Sequence, residues 1–127
     1  PRRIALVSEH ASPLAVQGGV DSGGQNVYVA QVARHLAALG HHVDVFTRRD
    51  CADQPDVVDL GPRLRVVHVP AGPPTFVPKE QLLQHMPEFT DWLIGFALGQ
   101  LDGYDLLHAN FFMSGLVAAD VKQALGV

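Results

Sequence analysis

Ile4-Ala5-Leu6-Val7 is a short unbroken apolar run, the pattern of a strand buried on both faces of a parallel sheet. From Gln25 to Leu39 the apolar positions change period. Val29, Val32, Ala33 and Leu36 fall on one face of a helix, with Gln31, Arg34 and His35 on the other. Gly40 is placed to end that helix. Val43-Asp44-Val45-Phe46-Thr47 then reads as a second strand, which completes a βαβ unit.

Cys51 to Pro62 is polar and holds two prolines, so it reads as loop. Leu64 to Val69 is a third strand stopped by Pro70, and Ala71 to Pro78 is too rich in Gly and Pro to be regular. Lys79 to Leu101 has helical spacing, with a kink expected near Pro87 and an inner face of Phe89, Leu93, Phe96 and Ala97. Tyr104 to His108 is a fourth strand. Ser114 to Leu125 is a last helix, which Ser114 is able to cap, with Gly126 at its end.

Strands alternating with helices predict an α/β fold: a Rossmann-like, doubly wound, mainly parallel sheet. In such sheets ligands bind beyond the carboxyl ends of the strands. Those ends carry Ser8-Glu9-His10, Thr47-Arg48-Arg49, Val69-Pro70-Ala71 and His108-Ala109-Asn110. Four strands are few for this architecture, and the chain stops on a helix cap where another strand is expected. Residues 1–127 are therefore expected to form one domain, incomplete at its C-terminal end.

Composition narrows the class. The 127 residues are 47% hydrophobic and 17% charged, with a net charge of −4, which speaks against nonspecific binding to nucleic acid or to a membrane surface. A single cysteine leaves no internal disulfide, no apolar run is long enough to span a bilayer, and no signal-peptide core precedes the first strand. The expected location is the cytoplasm.

The densest chemical signal is Gln17 to Tyr28, Q-G-G-V-D-S-G-G-Q-N-V-Y, with four glycines in seven residues between a strand and a helix. Glycine costs backbone entropy, and at a helix start its usual use is to let an anion approach unpaired N–H groups. A P-loop has the same Gly18-to-Gly23 spacing but needs Lys and Ser or Thr where Gly24 and Gln25 stand. A dinucleotide fingerprint sits directly after its strand, whereas about fifteen residues separate Val7 from Gly23. An NADP-binding oxidoreductase domain, drawing on Arg48 and Arg49, stays as an alternative, as does a noncatalytic α/β binding module. The third anion-binding reading is a long loop that wraps a substrate and ends in a Gly-Gly helix start touching a diphosphate. A plain surface loop would explain one Gly-Gly pair; two pairs flanking Asp21 favour function.

Other candidates are fewer. In His108 to Gly115, Asn110 and Ser114 are the stronger functional candidates, while Phe111, Phe112 and Met113 read equally well as core. His10 has two equal readings, facing a substrate or tying down the long loop. Lys79 suits a cation facing a phosphate, against a default of solvation. The remaining histidines lack metal-ligand spacing.

E-H-A-S-P-L (Glu9 to Leu14), D-S-G-G-Q-N-V-Y (Asp21 to Tyr28) and D-L-L-H-A-N-F-F-M-S-G (Asp105 to Gly115) occur in this order in one family. The chain resembles the N-terminal domain of retaining GT-B glycosyltransferases, in the group that includes the mycothiol inositol-phosphate N-acetylglucosaminyltransferases, sucrose synthases and sucrose-phosphate synthases. The resemblance implies a transferase of carbohydrate metabolism with a nucleotide-sugar donor held mainly by a second, C-terminal domain. No metal or other cofactor would be required for catalysis, and a homo-oligomer is compatible with the group. Gly23 and Gly24 would approach the donor diphosphate. His10, Asp21, Asn26, Lys79, Asn110 and Phe111 would belong to the acceptor side, Lys79 meeting an acceptor phosphate. Phe111 departs from the tyrosine of the inositol-phosphate enzymes, which counts against a phosphorylated inositol acceptor. The family's active-site histidine would lie beyond Val127, so no catalytic residue is assigned within the chain, which is expected to be inactive alone.

Overall fold

Period-two alternation along the strands decides which helix covers which face of the sheet. The computed structural model describes residues 2–8, 24–75, 77–78, 81–100, 103–109 and 112–126. Among them β1 (Arg3–Val7), β2 (His42–Arg48), β3 (Val57–Gly61), β4 (Leu64–Val69) and β5 (Leu106–Ala109) form one sheet in the order β3-β4-β2-β1-β5. All neighbours are parallel except β3 and β4. The order runs outward from β1 through β2 to β4, then returns to place β5 on the other side of β1. That reversal is a topological switch point.

Ile4 and Leu6 of β1, Val43 and Val45 of β2, and Leu64 and Val66 of β4 point to one face. There they bury Val29, Ala33 and Ala37 of α1 (Gly24–Ala38). Ala5, Val7, Phe46, Val67 and Val69 point to the other face, which α2 (Met86–Leu98) covers with Met86, Phe89 and Leu93 and α3 (Phe112–Leu125) with Val121. The expected inner face of α2 is confirmed: Phe89, Leu93 and Ala97 are buried, and Phe96 packs against the same core. Gly40 takes φ +98° and its N–H returns to the Ala37 carbonyl, so it closes α1 as its position suggested.

Four details differ from expectation. The segment Cys51–Pro62 is not all loop: Val57–Gly61 forms β3, antiparallel to β4 on the sheet edge. Its run is short and flanked by Pro55 and Pro62, so only the open edge of β4 makes it a strand. Arg63 makes the hairpin turn at φ +64°, and its guanidinium donates to the Ala37 carbonyl at the end of α1. Pro87 does not kink a long helix. A 3-10 turn over Leu83–His85 precedes α2, and Pro87 stands in its first turn, where a missing N–H costs nothing. The fourth expected strand, over 104–108, is β5, displaced to Leu106–Ala109, and α3 begins at Phe112, so Ser114 lies inside it and is not its cap.

Candidate functional site

The strand registers bring one edge of the sheet together. Val7 pairs with Phe46 and with Ala109, Arg48 pairs with Val69, and the Ser8 N–H donates to the Phe46 carbonyl at 2.9 Å. This is the carboxyl edge, and the switch point between β1 and β5 opens along it. The carboxyl end of α1 sits at the opposite edge, since the Ala37 carbonyl meets Arg63 beside the start of β4. The amino end of α1, opening at Gly24, therefore lies at the carboxyl edge, with the N–H groups of its first turn and the positive end of its dipole.

Gly24 and Asn26 both lie in the first turn of α1. His10, Asp21, Gly23, Lys79, Asn110 and Phe111 lie outside the described residues, as does most of the Gly-rich loop. His108 is exposed on β5. Among the described residues no three His, Cys, Asp or Glu side chains group as a metal site would require.

Sequence reasoning offered Arg48 and Arg49 as partners for a nucleotide 2′-phosphate. The structure commits both elsewhere. Arg48 is 5% exposed. Its guanidinium donates to the carbonyls of Ala71 at 3.0 Å, Pro73 at 2.7 Å and Thr75 at 2.5 Å. Burial lowers its pKa below the ordinary arginine value, opposed by Asp50, yet a guanidinium stays protonated in proteins. Arg49 donates to the Gln54 carbonyl and pairs with Asp56. The oxidoreductase alternative thereby loses its residues.

The chain that Arg48 holds crosses from β4 to α2. From the other side, the Gly72 N–H donates to Glu88 Oε1 at 2.6 Å, in the first turn of α2. Gly72 has φ +73°, and a Cβ there would stand 2.8 Å from the His85 ring. Only glycine fits this close approach. Sequence reasoning dismissed this stretch as irregular; an arginine ending a strand opposite a Pro-rich crossover was the available signal.

His68, at the same edge on β4, is 1% exposed. Its Nδ1 lies 2.7 Å from the Pro55 carbonyl and so carries the proton, while Nε2 is buried with no hydrogen-bond partner among the described residues. Burial lowers its pKa, with Arg49 acting the same way and the Pro55 contact opposing. The unfolded chain, with an ordinary histidine pKa near 6.5, then binds the proton more readily than the folded one. The His68 contribution to stability is complete above that value and is lost as pH falls towards the folded pKa. Urea midpoints should fall between pH 7.5 and pH 5.5, by less in His68→Leu than in the wild type. An equal fall in both proteins would refute this role.

Cavities lined by described residues lie away from the crevice, among them one of about 240 Å³ around Arg34, Ala37 and Leu60 and two larger ones. One of about 280 Å³ is at the amino edge around Arg3, His42, Asp44 and Arg65, and one of about 510 Å³ is between α2 and α3 around Met86, Thr90 and Ala119. No helix among the described residues is long and apolar enough to cross a membrane.

Comparison with known proteins agrees with this architecture. Residues 23–127 match the family described as "Glycosyl transferase 4-like domain". The chain is 44% identical over its whole length to a D-inositol 3-phosphate glycosyltransferase of Nocardiopsis dassonvillei, covering 30% of that protein. It is 42% identical to the protein of the same name from Acidothermus cellulolyticus, covering 29% of it. Among solved structures, a sucrose-phosphate synthase from Thermosynechococcus elongatus superposes with a TM-score of 0.90 at 39% identity, over 97% of this chain and 30% of that one. The chain thus spans about a third of the length of these relatives.

Proposed function

Because the chain belongs to the glycosyl transferase 4-like family, we propose that it supplies the acceptor-side part of a retaining glycosyltransferase. The whole protein moves a sugar from a nucleotide-diphosphate donor to an acceptor such as a sugar, sugar phosphate or cyclitol. The observation that carries this reading is the amino end of α1, opening at Gly24 on the carboxyl edge beside the switch point. A glycine there leaves the backbone open to an anion, and the helix dipole favours negative charge.

In this reading the amides of Gly23 and Gly24 approach the donor diphosphate, and a second domain holds the nucleotide. Hydrogen bonds that tighten as the leaving diphosphate gains charge stabilise the transition state. Asn26, two residues beyond Gly24 in the first turn of α1, is assigned to the acceptor side together with His10, Asp21, Lys79, Asn110 and Phe111. Lys79 supplies a charge for an acceptor phosphate. The name of the D-inositol 3-phosphate glycosyltransferases points to a phosphorylated acceptor, whereas Phe111 lacks the hydroxyl expected for inositol phosphate.

The test uses the whole protein, a panel of nucleotide sugars, and inositol, inositol phosphate and hexose phosphate acceptors. Gly24→Val should lower kcat/KM by about 100-fold, the order found when a transition-state donor is lost. Tight NADP binding without transfer from any nucleotide sugar would overturn the reading.

A further inference from the structure

We propose that Arg48 is a positioning residue for the acceptor side, acting through the crossover from Ala71 to Thr75, which it holds as a fixed strap across the carboxyl edge of the sheet. The consequence for transfer rests on the glycosyltransferase reading above; the strap itself rests on the contacts alone.

Arg48 ends β2, the central strand, and is buried without a carboxylate hydrogen-bonded to it among the described residues. Its charge is instead met by three main-chain carbonyls on alternate residues, Ala71, Pro73 and Thr75. A planar fork of five donors can serve three acceptors at fixed angles; a lysine ammonium on a flexible stem cannot reproduce that geometry. The dependence is mutual. Without the strap the guanidinium would be buried unpaired, and without Arg48 three carbonyls would lose their donor.

The strap is tied at other points too. Glu88 accepts from Gly72, the His85 ring abuts Gly72, and Val77 packs against the core of the α2 face. The Gln81 N–H then donates to the Pro78 carbonyl at 2.8 Å. Pro78 and Gln81, the described residues nearest positions 79 and 80, are thus joined to each other. Lys79, the proposed acceptor-phosphate cation, stands four residues after Thr75. A rigid approach fixes where that part of the chain begins, and a loose one adds an ordering cost to acceptor binding.

The experiment compares wild type, Arg48→Lys and Gly72→Ala in the whole protein. Gly72→Ala strains the strap from its own side without touching Arg48, so it serves if the buried arginine proves essential for folding. Amide hydrogen exchange is followed over residues 71–81. Transfer is measured with UDP-glucose and UDP-N-acetylglucosamine as donors, and with D-inositol 3-phosphate and glucose 6-phosphate as acceptors.

Both variants should exchange faster over 71–81 and raise the acceptor KM about tenfold, with the donor KM unchanged within twofold. A role in net charge alone would leave Arg48→Lys like the wild type. Unchanged exchange, or an unchanged acceptor KM in an active enzyme, overturns the proposal. A wild type that transfers no sugar to either acceptor overturns the effect on transfer together with the functional reading, and is told apart from failure of the strap by the exchange data.

Discussion

Truncating Phe46 to alanine should lower the free energy of unfolding by about 4 kcal/mol, the usual order for a phenylalanine removed from a packed core. Phe46 is 0% exposed on the central strand. Its ring meets Phe96 edge-on at 5.5 Å and Tyr104 edge-on at 5.8 Å, so it joins the sheet to α2 and to the chain entering β5. Each such pair adds roughly 0.5–1.5 kcal/mol beyond the area it buries. Phe46→Leu keeps most of the volume and loses the ring contacts, and should cost about 1–1.5 kcal/mol. Urea unfolding followed by Trp92 fluorescence checks both, because Trp92 stacks on Phe96 at 5.4 Å and senses that cluster. A loss below about 1.5 kcal/mol for Phe46→Ala would mean that the site collapses around the gap.

Asp44→Ala should cost about 2–3 kcal/mol, less than for a fully buried ion pair because the Arg65 side chain is 32% exposed. Asp44 is 4% exposed, on the same face of β2 as Phe46. Both its oxygens accept from Arg65, at 2.8 and 2.7 Å, and one also accepts from the Tyr104 hydroxyl at 2.5 Å. The bond to Asp44 raises the Arg65 pKa, and burial raises that of Tyr104, so the phenol keeps its proton and donates. Removing the carboxylate leaves the half-buried Arg65 guanidinium with only Gln100 Oε1 as acceptor, and the part-buried Tyr104 hydroxyl without Asp44. Tyr104→Phe removes one hydrogen bond and should cost only about 1–1.5 kcal/mol. Equal losses for the two substitutions would place the energy in the phenol, not in the ion pair. Phe46 and Asp44 share Tyr104, so their double variant should not be additive. Against a total stability of about 5–15 kcal/mol, either truncation leaves the domain marginal.

The strands most legible in the sequence are the central ones, whose residues are buried on both faces, although β5 was also read at the edge with Leu106 and His108 exposed. Ile4 to Val7 and Val43 to Thr47 announce themselves because every position must be apolar or paired. β3 escaped because an edge strand needs only alternate apolar residues, and Val58 and Leu60 are too few to stand out between two prolines. Pro87 was read as a kink because its ring forbids a helix interior; its actual place in the first turn depends on the 3-10 turn before it. In each case local chemistry set what was allowed, and neighbours chose among the options.

The candidate site divides the same way. The Gly-Gly pair before α1, and its distance from β1, were visible in the chain and pointed to an anion at a helix start. Arg48 and Arg49 were visible too, but their role was not. Two adjacent arginines at a strand end suit a phosphate equally well whether their N–H groups are free or spent on carbonyls.

By itself the sequence determined the α/β alternation, the buried faces of α1 and α2 and the glycine helix start. These follow from periodicity and backbone sterics, which act over a few residues. Only the tertiary structure decided the strand order, the β3 edge, the burial of Asp44 and the strap held by Arg48. Apart from the β3 hairpin, which needs β4 seated in the sheet as its partner, those are contacts between residues more than 20 positions apart, whose energies appear only once the chain has closed on itself.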